Sequence, residues 1–254
     1  MSATVEKALT LIEAMARSPG PIGVSQLGRE LSLNKSTVYR LLDTLCRQGF
    51  AQQDPETGRY ALTVKLWELG VGVVQGLGLR QAARPVLERE AAETGESTLI
   101  AILQEGEALI MDKVDSQQSL QISSPLGGRV LLANASIGRA LLAFQPPEVI
   151  AAVAEAFKPL TPYGIQTKEA LLRDLELVRS EGVSMAIDEW AVGVAGVASP
   201  VRDRTGLVTA AFCISGPTAR LGPDRLPALK ERCVKAAEAV SQAMGYRGVH
   251  PGPR

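Results

Sequence analysis

The sequence predicts an α+β chain in two parts: a winged helix-turn-helix, then a larger domain built on a mainly antiparallel sheet. Two observations carry this. Three short segments with helical apolar spacing, closed by a hairpin pattern, fill the first 62 residues, and beyond Arg84 strand patterns flank a central run of helices. The expected boundaries are 1–62 for the winged module, 63–80 for a connecting helix and 81–254 for the second domain.

In the first segment Val5, Ala8, Leu9 and Ile12 recur at helical spacing, and the pattern ends before the breaker cluster SPGPIG. Val24, Leu27 and Leu31 mark a second short helix. A third starts after Ser32-Leu33-Asn34, capped by Asn34 or Ser36, and ends at Gly49. Its Val38, Leu41, Leu42 and Leu45 form one apolar stripe. Ser36, Arg40, Asp43 and Arg47 fall on the opposite side, flanked by Lys35, Thr37 and Tyr39. Two short helices, the second polar outside and starting with hydroxyl and basic groups, make the helix-turn-helix pattern. Such a helix enters the major groove with its N-terminal turns nearest the base edges. Lys35, Ser36, Thr37, Tyr39 and Arg40 are therefore the expected contacts with double-stranded DNA. Next, Phe50 to Gln53 and Arg59 to Leu62 read as strands around a Pro-Glu-Thr-Gly turn, a wing with Arg59 set to approach a phosphate.

Thr63 is the expected cap of VKLWELGVGVVQGLGL, whose Leu66, Trp67, Leu69, Gly70 and Val73 give a broad apolar surface. Its expected work is to link the domains and to bury that surface against a second subunit; packing on the chain's own second domain is the alternative. Further on, PVLEREAAETG reads as a helix and TLIAIL-QEGE-ALIMDKV as a hairpin. Ser136 to Phe144 and residues 148–157 and 167–180 read as helices, the last capped by Thr167. VSMAI, VAGVASPV and LVTAAFCIS are the later strands, and a final helix runs from Asp224 to Met244.

Composition narrows the function classes. Hydrophobic residues are 46% of the 254, enough for a substantial core, while aromatics are only 4%, so aliphatic side chains must fill it. MSATVEKALT lacks the features of a signal peptide, and no apolar run approaches the ~18 residues needed to span a bilayer. A cytoplasmic protein without a membrane partner is expected. Cys46, Cys213 and Cys233 lie far apart with neither disulfide nor zinc spacing, and no metal or cofactor is expected. The only histidine, His250, sits in the tail YRGVHPGPR, which argues against a Ser–His–Asp or Cys–His enzyme. A carboxylate enzyme would rest on Asp112, Asp188, Glu189 and Asp203, which show no paired spacing for acid–base work. Balanced charge, 27 basic against 27 acidic side chains, disfavours an effector-independent architectural DNA-binding protein and leaves a local basic surface as sufficient.

LNKSTVYRLLDTLCRQGFAQQDPETGRYAL resembles the recognition helix and wing of the IclR family of bacterial transcriptional regulators. ARPVLEREAAETGES, ALIMDKVDS, IGRALLAF, ASPVRDRTGLVTAAFCISGP and the arginine of TARL follow in family order, so the resemblance covers nearly the whole chain. It implies a C-terminal domain related to the GAF fold, a homodimer or dimer of dimers, and control of a catabolic or secondary-metabolism operon, as by a repressor, through a small effector. The resemblance also places the effector cavity between the sheet and GGRVLLANASIGRALLA, with backbone N–H groups of Gly127, Ile137 and Gly138 receiving a carboxylate. Members that bind small carboxylic acids carry an aspartate, a cysteine and two serines on the far wall. Here those positions fall on Ala186, Gly196, Cys213 and Ser215, leaving one serine unchanged. The implied cavity is roomier and less polar, suited to an aromatic or otherwise hydrophobic effector, over which Trp190 is placed to close.

Overall fold

The computed structural model describes residues 3–76, 78–122, 124–222 and 224–248, of which 71–76 are described by backbone alone; His250 lies outside them. The chain divides into two compact units, Met1–Gly76 and Leu77–Arg254.

In the first unit, α1 (Ala3–Arg17), α2 (Val24–Glu30) and α3 (Lys35–Arg47) precede a hairpin of β1 (Ala51–Gln53) and β2 (Tyr60–Leu62). The helices close on one core in which Leu11, Ala14, Met15, Leu27, Val38, Leu41, Leu42 and Leu45 are buried with Tyr60. Ile22 and Tyr60 exchange two backbone hydrogen bonds of 2.9 Å, tying the α1–α2 connection to the hairpin. Val5 and Leu9 do not face the core but are each 56% exposed, because α1 is rotated so that Leu11, Ala14 and Met15 point inward. α4 (Lys65–Gly76) closes this unit, its first N–H donating to the Thr63 hydroxyl. The expected single helix over 63–80 is interrupted: α4 stops at Gly76, and α5 (Leu79–Thr94) starts afresh behind Gly78, which has a φ of 64°.

The second unit is a six-stranded antiparallel sheet between two layers of helices. In chain order come α5, β3 (Ser97–Gln104), β4 (Glu107–Val114), β5 (Arg129–Leu131), α6 (Ser136–Leu142), α7 (Pro147–Ala156) and α8 (Lys168–Glu181). β6 (Ser184–Ile187), β7 (Val194–Arg202), β8 (Val208–Pro217) and α9 (Leu226–Ala243) follow. The strand order is β5-β4-β3-β8-β7-β6. Period-two alternation divides each strand between two cores. Ile100, Val197, Phe212 and Ile214 meet α5 and α9, whereas Leu99, Ala101, Ala198, Ala211 and Cys213 meet α6, α7 and α8. The β3–β4 turn places Glu105 and Gly106 at φ of 52° and 81°, the paired left-handed geometry that matches strand twist. Three-residue β5 was not expected from sequence; it pairs with β4 from Glu107↔Leu131 to Leu109↔Arg129. No helix among the described residues is long and apolar enough to cross a membrane.

Candidate DNA interface and effector cavity

α3 has an amphipathic division of labour. Its four apolar residues hold the three-helix core, so the other face is left to solvent. Asn34 is the cap: its Oδ1 accepts from the Thr37 N–H at 2.8 Å and from the Ser36 hydroxyl at 2.9 Å. Lys35, Ser36, Tyr39 and Arg40 are exposed around the first turns, and Thr37 is half-buried. Tyr39 is 57% exposed, large for an aromatic ring on a small domain. Further along, Arg47 pairs with Asp43 at 3.1 Å, which neutralises that end and leaves the positive charge of the helix at its N-terminal half.

The wing is held by its own turn. Asp54 accepts from the Glu56 N–H and the Thr57 hydroxyl, both at 2.8 Å, and the Thr57 bond keeps its carboxyl below the ordinary value. Arg59 follows that turn, exposed. On the same unit, Val64, Trp67 and Leu69 leave apolar surface uncovered on and before α4, as do Val5 and Leu9 on α1.

In the second unit a cavity of about 440 Å³ opens between the sheet, the residues leading into β5, and the first turn of α6. Register explains its floor. Ala186 pairs with Gly196, and Gly196 with Ser215, so three positions scattered in sequence form one row across β6, β7 and β8. Cys213 lies two residues from Ser215 on the same face, paired with Leu99. All four line the cavity, together with Ile137 of α6 and Trp190 of the β6–β7 loop. Leu99, Ile110, Ile122, Val130 and Val194 make most of the remaining wall apolar, and Gln121, Ser124 and Arg129 add polar groups to it.

Polar groups on the floor are neutral and partly satisfied. Ser215 donates to the Ala195 carbonyl at 3.3 Å, and the Ser136 hydroxyl stands 3.8 Å from the Cys213 sulfur. Burial pushes the Cys213 thiol up to about 12, so it is uncharged at neutral pH. Gly196 gives the floor its depth, since a Cβ there would stand 2.7 Å from the Ser136 hydroxyl oxygen.

Two of the expected effector residues are placed differently. Gly127 does not line the cavity: its N–H is spent on the Ile110 carbonyl at 3.0 Å, and its φ of 72° serves the turn before β5. Gly138 does not line it either; it lets α6 press on the preceding chain, where a Cβ would meet the Leu132 oxygen at 2.5 Å. Gly138→Ala is therefore expected to cost about 1–3 kcal/mol, measured by urea unfolding. An unchanged midpoint would mean that the backbone at Leu132 yields freely.

The carboxylates considered for enzymatic work are engaged elsewhere. Asp112 is held by Arg80 and Arg84 at 3.2 Å each. Asp188 accepts from the Gly193 N–H and the Thr218 hydroxyl, and Asp203 closes its turn by accepting from Thr205 and Leu207. Glu189 belongs to a cluster that sequence reading missed. Arg139 of α6 is fully buried and grips Glu189 with two hydrogen bonds, 2.9 and 3.1 Å, while also donating to the Ala133 and Met185 carbonyls. Its Nε lies 2.8 Å from Asp174 but out of hydrogen-bond alignment, so that contact is an ion pair.

Two family models divide the chain along these lines: the IclR helix-turn-helix domain over residues 4–55, and the bacterial transcriptional regulator IclR C-terminal domain over residues 71–242. The chain belongs to the IclR family. The HTH-type transcriptional regulator KdgR of Escherichia coli is 33% identical over 96% of this chain and 93% of its own length. The acetate operon repressor of Salmonella typhimurium is 31% identical over 95% and 90%. Among solved structures, Thermotoga maritima IclR superposes with a TM-score of 0.80 at 27% identity, covering 97% of this chain and 100% of that one. An IclR homologue from Microbacterium hydrocarbonoxydans, complexed with 4-hydroxybenzoate, gives 0.85 at 26%, covering 95% and 99%. Like its IclR relatives, the protein is a DNA-binding transcriptional regulator and not an enzyme.

Proposed function

We propose that this IclR protein acts in the cytoplasm as a homodimer on a roughly palindromic operator, its grip set by an aromatic or otherwise hydrophobic effector. The observation that carries the effector reading is the row Ala186–Gly196–Ser215 with Cys213 beside it: an uncharged, small-residue floor under mostly apolar walls. A cavity of about 440 Å³ with few polar groups takes a ring-sized ligand, and burial of its apolar area supplies the affinity. The Microbacterium relative, complexed with 4-hydroxybenzoate, supports a ligand of that class. Lys35, Ser36, Thr37, Tyr39 and Arg40 are the proposed groove contacts and Arg59 the phosphate contact. Exposed Val5, Leu9, Trp67 and Leu69 supply apolar surface for a second copy. A ligand alters DNA binding to the degree that it favours one dimer arrangement over another.

Calorimetric titration with benzoate, 4-hydroxybenzoate, glyoxylate and pyruvate tests the effector class. Aromatic acids are expected to bind and the two- and three-carbon acids to bind weakly; the reverse order overturns the reading. Gly196→Leu, which fills the floor, should weaken the aromatic ligand by about tenfold or more, a loss of about 1.4 kcal/mol, and leave operator affinity in place.

A further inference from the structure

Trp190 sits in a strap, Asp188 to Gly193, that runs from β6 to β7 and contributes Trp190 and Ala191 to the cavity wall. A six-residue connection of this kind ordinarily moves more than the strands it joins. This one is fastened at both ends. Asp188, at a φ of 58°, accepts from the Gly193 N–H at 2.7 Å, which closes the strap on itself, and from the Thr218 hydroxyl at 2.8 Å, which ties it to the end of β8. Its backbone carbonyl also accepts from the Thr161 hydroxyl. The next residue, Glu189, enters the interior and takes the two-pronged grip of Arg139.

The anchor is chemically matched to the cavity it borders. Arg139 belongs to the same helix whose Ser136 and Ile137 line the cavity, so one rigid element both forms the wall and holds the strap. Gly164 completes the seat: a Cβ there would stand 2.3 Å from Glu189 Cγ, so the passing loop has room for that side chain only because position 164 is glycine. Trp190, next in sequence, is thereby left 37% exposed, one part on the cavity and one part in solvent.

We propose that Glu189, gripped by Arg139, is the positioning residue that fixes the height of Trp190 over the cavity and so selects flat ligands. The ligand half of this inference rests on the effector reading above; the positioning half does not. Removing Glu189 leaves Arg139 facing Asp174 at 2.8 Å and donating to the carbonyls of Ala133 and Met185, so the guanidinium is not stranded without an anion and the cost of the substitution is limited.

The chain has two tryptophans, and Trp67→Phe leaves Trp190 as the sole reporter. In that background, without ligand, Glu189→Ala is expected to red-shift Trp190 emission and steepen its acrylamide quenching. Glu189→Gln, which keeps one acceptor for Arg139, should restore most of the original signal. Thr218→Val, loosening the other fastening without touching Arg139, should move quenching in the same direction by less. With 4-hydroxybenzoate as probe, Glu189→Ala should weaken binding roughly three- to tenfold, the cost of ordering a loosened strap. Unchanged emission and quenching in Glu189→Ala overturn the positioning role whatever the ligand does. Altered quenching with unchanged 4-hydroxybenzoate affinity overturns the selection role. Failure of the unsubstituted protein to bind any aromatic acid removes the effector reading, and the ligand-free comparison still decides on the strap.

Discussion

Arg139→Met is expected to destabilise the C-terminal unit by about 3–5 kcal/mol, because a nearly buried carboxylate and a partly buried one lose their shared cation. Glu189 is nearly buried beside it and Asp174 is the second acid on the same guanidinium. Burial already raises the Asp174 carboxyl above its ordinary value, with Arg139 pulling it back down and Glu189 adding to the rise. An acid raised in this way holds its proton more readily in the folded state. Its ionisation therefore costs stability as pH climbs from the ordinary carboxylate range through the raised value, and the cost is complete above that. Without Arg139 the window extends further upward. The deficit of the variant should be full at pH 8 and smaller at pH 5, read by urea unfolding at both. Equal deficits at the two values would show that packing, not charge, is what Arg139 provides.

On the DNA side, Arg40→Ala is expected to weaken operator binding by about 1–3 kcal/mol while leaving scrambled duplex nearly untouched, as loss of a base-reading contact does. Arg59→Ala should behave differently, lowering affinity for both duplexes and reducing the salt slope by about one. Fluorescence anisotropy across a salt series separates the two patterns. Equal loss on both duplexes for Arg40 would move that residue to the phosphate class.

The legibility of this chain follows from how local each cause is. Asn34, Thr167 and the four-residue stripe of α3 act within a few residues of themselves, so spacing alone discloses them. The inward arc of α1 is less legible: Val5 and Leu9 are as apolar as Leu11 and Met15, and which of them face inward is decided by neighbouring helices, not by the helix itself. β5 is three residues long and exists through its pairing with β4, a partner fifteen or more residues away that no local pattern shows. The cavity floor became readable only through resemblance, since Ala186, Gly196 and Ser215 meet by sheet register. Arg139 escaped because its acids lie 35 and 50 positions downstream, and nothing within IGRALL points to them. Gly127 and Gly138 lie beside the cavity rather than along it, and their lack of a side chain serves a turn and a close helix approach, contacts that no local pattern shows.

The floor of the cavity keeps its sulfur protonated near neutrality, so at Cys213 itself a visiting acid would meet neither a countercharge nor a proton to trade. The pH dependence of binding at that end of the cavity would then follow the ligand's own ionisation, an ester being held alike across neutrality and a carboxylate placing its charge elsewhere. An uncharged ligand would then be held independently of pH at this floor.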